Sequence, residues 1–126
     1  MKYKLIIFDL DGTLINSLPY HVKAFRNVLN EYNVSSKKSE IRMLMGISSE
    51  NIWKLLKRKY KIKQEVKKLR EERRYEYFKV LGTKNILFKY TIPTLHYLKK
   101  DYKLVIATGS SKISLIHSTP KNFVNN

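Results

Sequence analysis

The sequence predicts an α/β fold in which two parallel strands are separated by an all-helical insertion. Three observations carry this. Two short apolar runs, Lys4 to Phe8 and Leu104 to Ala107, each end in small polar residues, as strands buried on both faces of a parallel sheet do. Between them, over residues 17 to 88, apolar side chains recur three or four positions apart, which is the helical period. The stretch "FDLDGT" sets Asp9 and Asp11 one residue apart where the first run ends, and loops at the carboxyl ends of strands form the ligand crevice of an open α/β sheet.

Each element follows from the same reading. Leu18, Val22, Phe25, Leu29 and Tyr32 share one helical face, and Pro19 fits the first turn of that helix. Ser35 and Ser36 offer a cap for a second short helix through Ile41, Met43 and Leu44, stopped by Gly46. Ser48 or Ser49 caps a third, with Ile52, Leu55, Leu56 and Tyr60 along one stripe. A fourth, from Lys63 to Leu81, places Val66, Leu69, Tyr77, Phe78 and Leu81 at helical spacing before Gly82. Pro93 starts the helix that precedes the second strand, and Leu95 and Leu98 can pack on the sheet. After Thr108 one more helix is expected, Lys112 to about Ser118, before Pro120 and the polar tail "KNFVNN".

Composition narrows the function classes. At 126 residues, 43% of them hydrophobic, the chain suits one globular domain and not a disordered segment. No apolar stretch approaches the roughly 18 residues of a spanning helix, so no membrane partner is expected. The basic, short apolar N-terminus meets acids and not a cleavage site, which reads as cytoplasmic. Without cysteine, a metal must be held by oxygen ligands or by His21, His96 or His117.

The net charge is +16, from 26 Lys and Arg against 10 Asp and Glu. Such a field draws phosphorylated molecules, nucleic acid and acidic surfaces alike. Residues 54 to 79 interleave Lys and Arg with Tyr60, Tyr75 and Tyr77, a pattern able to grip nucleic acid. Glu71 and Glu72 stand beside the basic residues at helical spacing, however, which is how a solvated helix looks. Nucleic acid is therefore not an expected partner.

The paired acids carry the chemistry. Carboxylates this close repel, and a cation between them makes the arrangement tolerable. A turn with a helix cap needs one acid, not two. If the two strands are parallel neighbours, Asp9, Asp11 and Gly12 face Thr108, Gly109 and Ser110. One carboxylate can then attack or bind a metal, the other can give and take a proton, and the hydroxyl with exposed N–H groups can hold phosphoryl oxygens.

"FDLDGTLINS" closely resembles the first motif of the haloacid dehalogenase-like hydrolase superfamily, hhhhDxDGT, and "LVIATGS" resembles its second, an apolar strand ending in Ser or Thr. "GTLINSLPYHVKAFRNVL" and "LMGISSENIWKLL" resemble the first cap helices of the phosphoglycolate phosphatase and β-phosphoglucomutase group. The resemblance implies an incomplete Rossmann-like core at residues 1–16 and 89–126, with two recognisable parallel strands, and a helical cap at 17–88. It implies a phosphate-monoester hydrolase acting on a small phosphorylated metabolite. Asp9 would be the nucleophile that becomes an aspartyl phosphate, and Asp11 the acid and then base. Gly12, Thr108, Gly109 and Lys112 would lie on the phosphoryl group. Mg²⁺ would sit at Asp9 and Asp11, through the Asp9 carboxylate and the Asp11 backbone carbonyl. An acid at position 11 implies phosphatase or phosphomutase chemistry, and His21 stands where the group often has polar residues near the substrate.

Two further motifs of the superfamily, a Lys and later Asp residues, have no counterpart after Thr108, where no acidic residue occurs. The expectation is a chain truncated after the second motif, with weakened metal binding and activity. Its sheet edges would be closed by a second copy or by a completing chain. The alternatives are a non-catalytic module that binds phosphate or nucleic acid, and a fragment of a longer phosphatase.

Overall fold

A computed structural model describes residues 4–121 and 123. The order is β1 (Leu5–Phe8), α1 (Leu18–Glu31), α2 (Lys38–Met43), α3 (Ser49–Tyr60), α4 (Val66–Leu81), α5 (Thr91–Leu98), β2 (Lys103–Ile106) and α6 (Lys112–Ser118). This is the expected α/β architecture, a small Rossmann-like parallel sheet with an inserted helical cap. The chain divides into two compact units, one holding residues up to Ser17 and from Thr83 onward, the other Leu18–Gly82.

In the sheet unit, β1 and β2 pair in parallel with Leu5 opposite Lys103 and Phe8 opposite Ile106. The ladder is extended at its carboxyl end by the Ala107 amide, which donates to the Phe8 carbonyl at 2.8 Å. The strands are not buried on both faces, as their apolar runs suggested. Leu5 is 48% exposed, Ile7 60% and Val105 39%. The physical reason is the sheet's size: among the described residues it has two strands, and exposure alternates along both, so one face is half-buried and the other exposed. On the half-buried face Phe8, Leu104 and Ile106 border a cleft with Leu95 of α5 and Leu115 of α6.

The loop after β1 is built on backbone bonds. The Leu10 carbonyl accepts from the amides of Thr13, Leu14 and Ile15, and Gly12 donates to Ile15 at 2.8 Å. Gly12 has φ +79°, which its missing Cβ makes inexpensive. Leu10, Leu14 and Ile15 are buried, so the loop is a packed element and not a tether. Ile15 bridges Leu87 in antiparallel fashion, and Asn16 donates to the Ile86 carbonyl. Residues 83–88, counted with the helical insertion in the sequence, therefore lie with the sheet unit; helix ends at Leu81 because Gly82 takes φ +56°.

In the helical unit, Val22, Phe25, Val28 and Leu29 of α1 pack with Ile41, Ile52, Trp53, Leu56, Ile62 and Leu69. Two expectations change here. Leu55 is 45% exposed and Trp53 takes the core position, because residues 52, 53 and 56 fall within one arc of the helix and 55 lies off it. Ser35 and Ser36 do not cap α2: its N-cap is Lys37, without a side-chain bond, and the Ser36 carbonyl instead accepts from Arg26 Nε at 3.1 Å. Ser48 does cap α3, accepting from the Asn51 amide at 3.3 Å. Among the described residues no helix is long and apolar enough to cross a membrane.

Candidate active site

The unusual residues of both strands meet at the carboxyl end of the sheet. Phe8 pairs with Ile106, so Asp9 leaves β1 beside Ala107, and Thr108 follows one residue later. Asp9 Oδ1 accepts from the Leu10 amide at 2.8 Å, which fixes the carboxylate against the buried loop. Its second oxygen has no hydrogen-bond partner among the described residues. Asp11 is half-buried, and its Oδ2 accepts from the Ser110 hydroxyl at 2.6 Å, a short bond. This contact joins the two strand ends directly.

Thr108 Oγ1 accepts from the Ser110 amide at 3.0 Å. The turn so formed aims the Ser110 side chain at Asp11 while leaving the Thr108 hydroxyl proton without an acceptor among the described residues. Gly12 and Gly109 are exposed, and an added Cβ at either would meet nothing within 4 Å. A phosphoryl group can therefore approach the backbone at both.

Lys112 and His21 take no part in the hydrogen bonds just given. Lys112 is the exposed first residue of α6 and forms no ion pair with Asp9 or Asp11. His21 belongs to the helical unit, stacked on Tyr77 with ring centroids 4.2 Å apart, its Nδ1 3.2 Å from Arg73 Nη1. Ser110 is the residue whose importance the sequence understated. Its signal was a hydroxyl directly after "TG", but its partner could be assigned only once the strands were paired.

The donor set suits a hard divalent cation. Among the described residues there is no group of three or more His, Cys, Asp and Glu. Mg²⁺ commonly uses one or two protein carboxylates and completes its shell with water and substrate phosphate. The exposed Asp9 carboxylate, with one anchored and one unengaged oxygen, meets that requirement.

A small Rossmann-like parallel sheet with an inserted helical cap and two carboxylates at the end of its first strand defines a class of α/β protein whose candidate site lies at the carboxyl ends of the strands. The sequence pattern of the haloacid dehalogenase-like hydrolase family matches residues 6–125, and the chain belongs to that family. A haloacid dehalogenase-like family hydrolase from Streptococcus pneumoniae is 28% identical, over 89% of this chain and 52% of that one, with a TM-score of 0.75. A haloacid dehalogenase-like hydrolase from Bacteroides fragilis is 26% identical, over 98% of this chain and 61% of its own, with a TM-score of 0.72. Fructose-1-phosphate phosphatase YqaB of Escherichia coli is 32% identical over 54 residues, which are 43% of this chain and 27% of that protein. The chain thus spans little more than half of these solved structures, 52% and 61%, and its match to YqaB a smaller share.

Proposed function

We propose that the chain carries the nucleophilic half of a phosphoric monoester hydrolase site. The observation that supports this best is the pairing of two differently held carboxylates. Asp9 has an oxygen free to attack, while Asp11 is fixed by Ser110 beside it. In the first step an Asp9 oxygen attacks phosphorus, the P–O ester bond breaks, and Asp11 gives its proton to the departing alkoxide oxygen. In the second, water attacks the phosphorus of the aspartyl phosphate while Asp11 takes its proton. Orthophosphate leaves and the Asp9 carboxylate is restored.

Around those steps the other residues position. Thr108 donates its hydroxyl to a phosphoryl oxygen, and the backbone at Gly12 and Gly109 admits the group closely. Mg²⁺, held by the Asp9 carboxylate and the Asp11 carbonyl, would supply charge neutralisation between the nucleophile and its anionic substrate. The substrate class is a small phosphorylated metabolite, in keeping with the sugar-phosphate specificity named for the E. coli relative.

The test is release of phosphate from an aryl phosphate with and without Mg²⁺, using Asp9→Asn as control. Metal-dependent turnover abolished by the substitution supports the assignment. Turnover that survives Asp9→Asn, or binding of phosphate with no turnover at all, removes it, the second outcome in favour of a phosphate-binding module.

A further inference from the structure

The helical unit carries a surface that the hydrolytic site does not use. Lys54, Arg58 and Lys61 recur at helical spacing along the outer stripe of α3. Lys67, Arg70 and Arg74 do the same along α4, and Lys63 lies in the connection. Glu50 ties the two stripes together, pairing with Lys54 at 2.7 Å and with Arg70 at 3.4 Å, so both look out on the same side. The turn between the helices is clasped by Lys57, whose ammonium donates to the carbonyls of Lys63 (3.1 Å) and Gln64 (2.6 Å), and Lys61 closes α3 at φ +55°.

The balance of charge on this ridge differs from that of the chain. Overall the sequence holds 26 basic residues against 10 acidic ones; on the ridge Glu50 is the one acid that pairs with the cations just named. Arg58, Lys61, Lys63 and Lys67 have no ion pair or side-chain hydrogen bond among the described residues. The acids that made residues 54 to 79 look like a solvated helix turn elsewhere. Glu72 accepts from Tyr32 at 2.8 Å, and Glu71 lines the groove on the α1 side with Glu31 and Lys68. The seven cations lie on α3, on α4 and in the turn that joins them, and span roughly 10 Å along each helix at 1.5 Å per residue. Isolated, such a field repels itself; a polyanion of matching extent relieves it.

We propose that this ridge is an interface for the phosphate backbone of duplex nucleic acid. The duplex is favoured over a single strand because the tyrosines of the segment offer the ridge no stacking platform. Tyr77 is buried, the Tyr60 hydroxyl is held by Glu40 at 2.7 Å, and Tyr75 borders the groove on the α1 side. Recognition is of phosphates and not of bases, since the ridge presents Lys and Arg along the sides of the two helices.

The experiment is fluorescence anisotropy of the full chain with a labelled 20-base-pair DNA and with one of its strands, over a series of salt concentrations. The duplex is expected to bind with a steep salt dependence. The triple variant Arg58→Glu, Lys61→Glu, Lys67→Glu is expected to lose at least about 30-fold in affinity near 0.1 M salt, and its log–log salt slope to fall by about 3, near one per phosphate contact removed. A matched variant with the same change in net charge, Lys89→Glu, Lys99→Glu, Lys100→Glu in the sheet unit, is expected to lose less than about threefold. A Gln triple at the ridge positions repeats the test without charge reversal, with circular dichroism confirming the helices. Equal losses in the ridge and matched variants, tighter binding of the single strand, or no duplex binding by the parent chain overturns the proposal.

Discussion

Ser110 donates its hydroxyl to Asp11 Oδ2 across 2.6 Å, joining positions 99 residues apart in the chain. The bond holds one carboxylate, while Asp9 is anchored separately to the Leu10 amide through one oxygen and has no hydrogen-bond partner for the other among the described residues. Ser110→Ala should therefore lower kcat by about tenfold, or about 1.4 kcal/mol of barrier, with KM nearly unchanged. Ser110→Thr should retain most of the rate. Steady-state kinetics on an aryl phosphate decide it, and an Ala variant with the parent kcat would show that Asp11 needs no such support.

Magnesium should act on stability as well as on rate. A cation that binds the folded site and not the unfolded chain stabilises by about 1.4 kcal/mol at ten times its Kd. Thermal unfolding with increasing Mg²⁺ should show the midpoint rising in the parent chain. In Asp9→Asn it should stay fixed. A rise of equal size in both would place the ion elsewhere.

The Thr91 hydroxyl donates to the Leu14 carbonyl at 2.7 Å in a buried setting, tying the loop that carries Asp9 and Asp11 to the helix before β2. Leu14 also accepts from the Phe88 amide at 3.1 Å, so its carbonyl is not orphaned when the hydroxyl goes. Thr91→Val should cost about 1 kcal/mol, the net value of one hydrogen bond, seen as a lower urea midpoint at unchanged slope. Thr91→Ala should cost more, because it adds a void.

Trp53 is 0% exposed at the centre of the helical unit, its ring 5.0 Å from that of Phe25, and its indole nitrogen has no hydrogen-bond partner among the described residues. Trp53→Ala should cost about 3–5 kcal/mol through the cavity it leaves. Trp53→Phe should cost much less, since the volume lost is partly offset by removing an unsatisfied N–H. Comparable losses in the two variants would mean that the indole N–H is bonded in solution.

Glu76 is nearly buried, and the Asn27 amide at 3.0 Å, with a smaller contribution from Lys79, holds its carboxyl below the usual range against the opposing effect of burial. Glu40 is lowered likewise, chiefly by Lys59 and then by the Tyr60 hydroxyl. A folded pKa below the unfolded value of 4.5 gives stability that is complete above that value and is lost as pH falls through the folded pKa. The helical unit should therefore weaken on acidification below about pH 5, and Glu76→Gln should flatten that limb. Denaturant midpoints measured from pH 7 down to pH 3 check the sign.

Local pattern made much of this protein legible. The β1 and β2 runs, the Ser48 cap and the stop at Gly82 depend on neighbours in sequence, so spacing alone places them. The position of the acids at 9 and 11, just past the end of β1, could be read for the same reason, since it follows from where the apolar run stops. What spacing could not supply was any quantity set by long-range contact. Whether Leu55 or Trp53 is buried depends on which arc of α3 faces α1 and α4, and the return of residues 83–88 to the sheet depends on Leu87 meeting Ile15. The partner of Ser110 and the side to which Glu71 and Glu72 turn are decisions of the same kind. Side-chain alternation and helical period are properties of a single segment, whereas pairing is a property of two, and only the folded chain fixes which two meet.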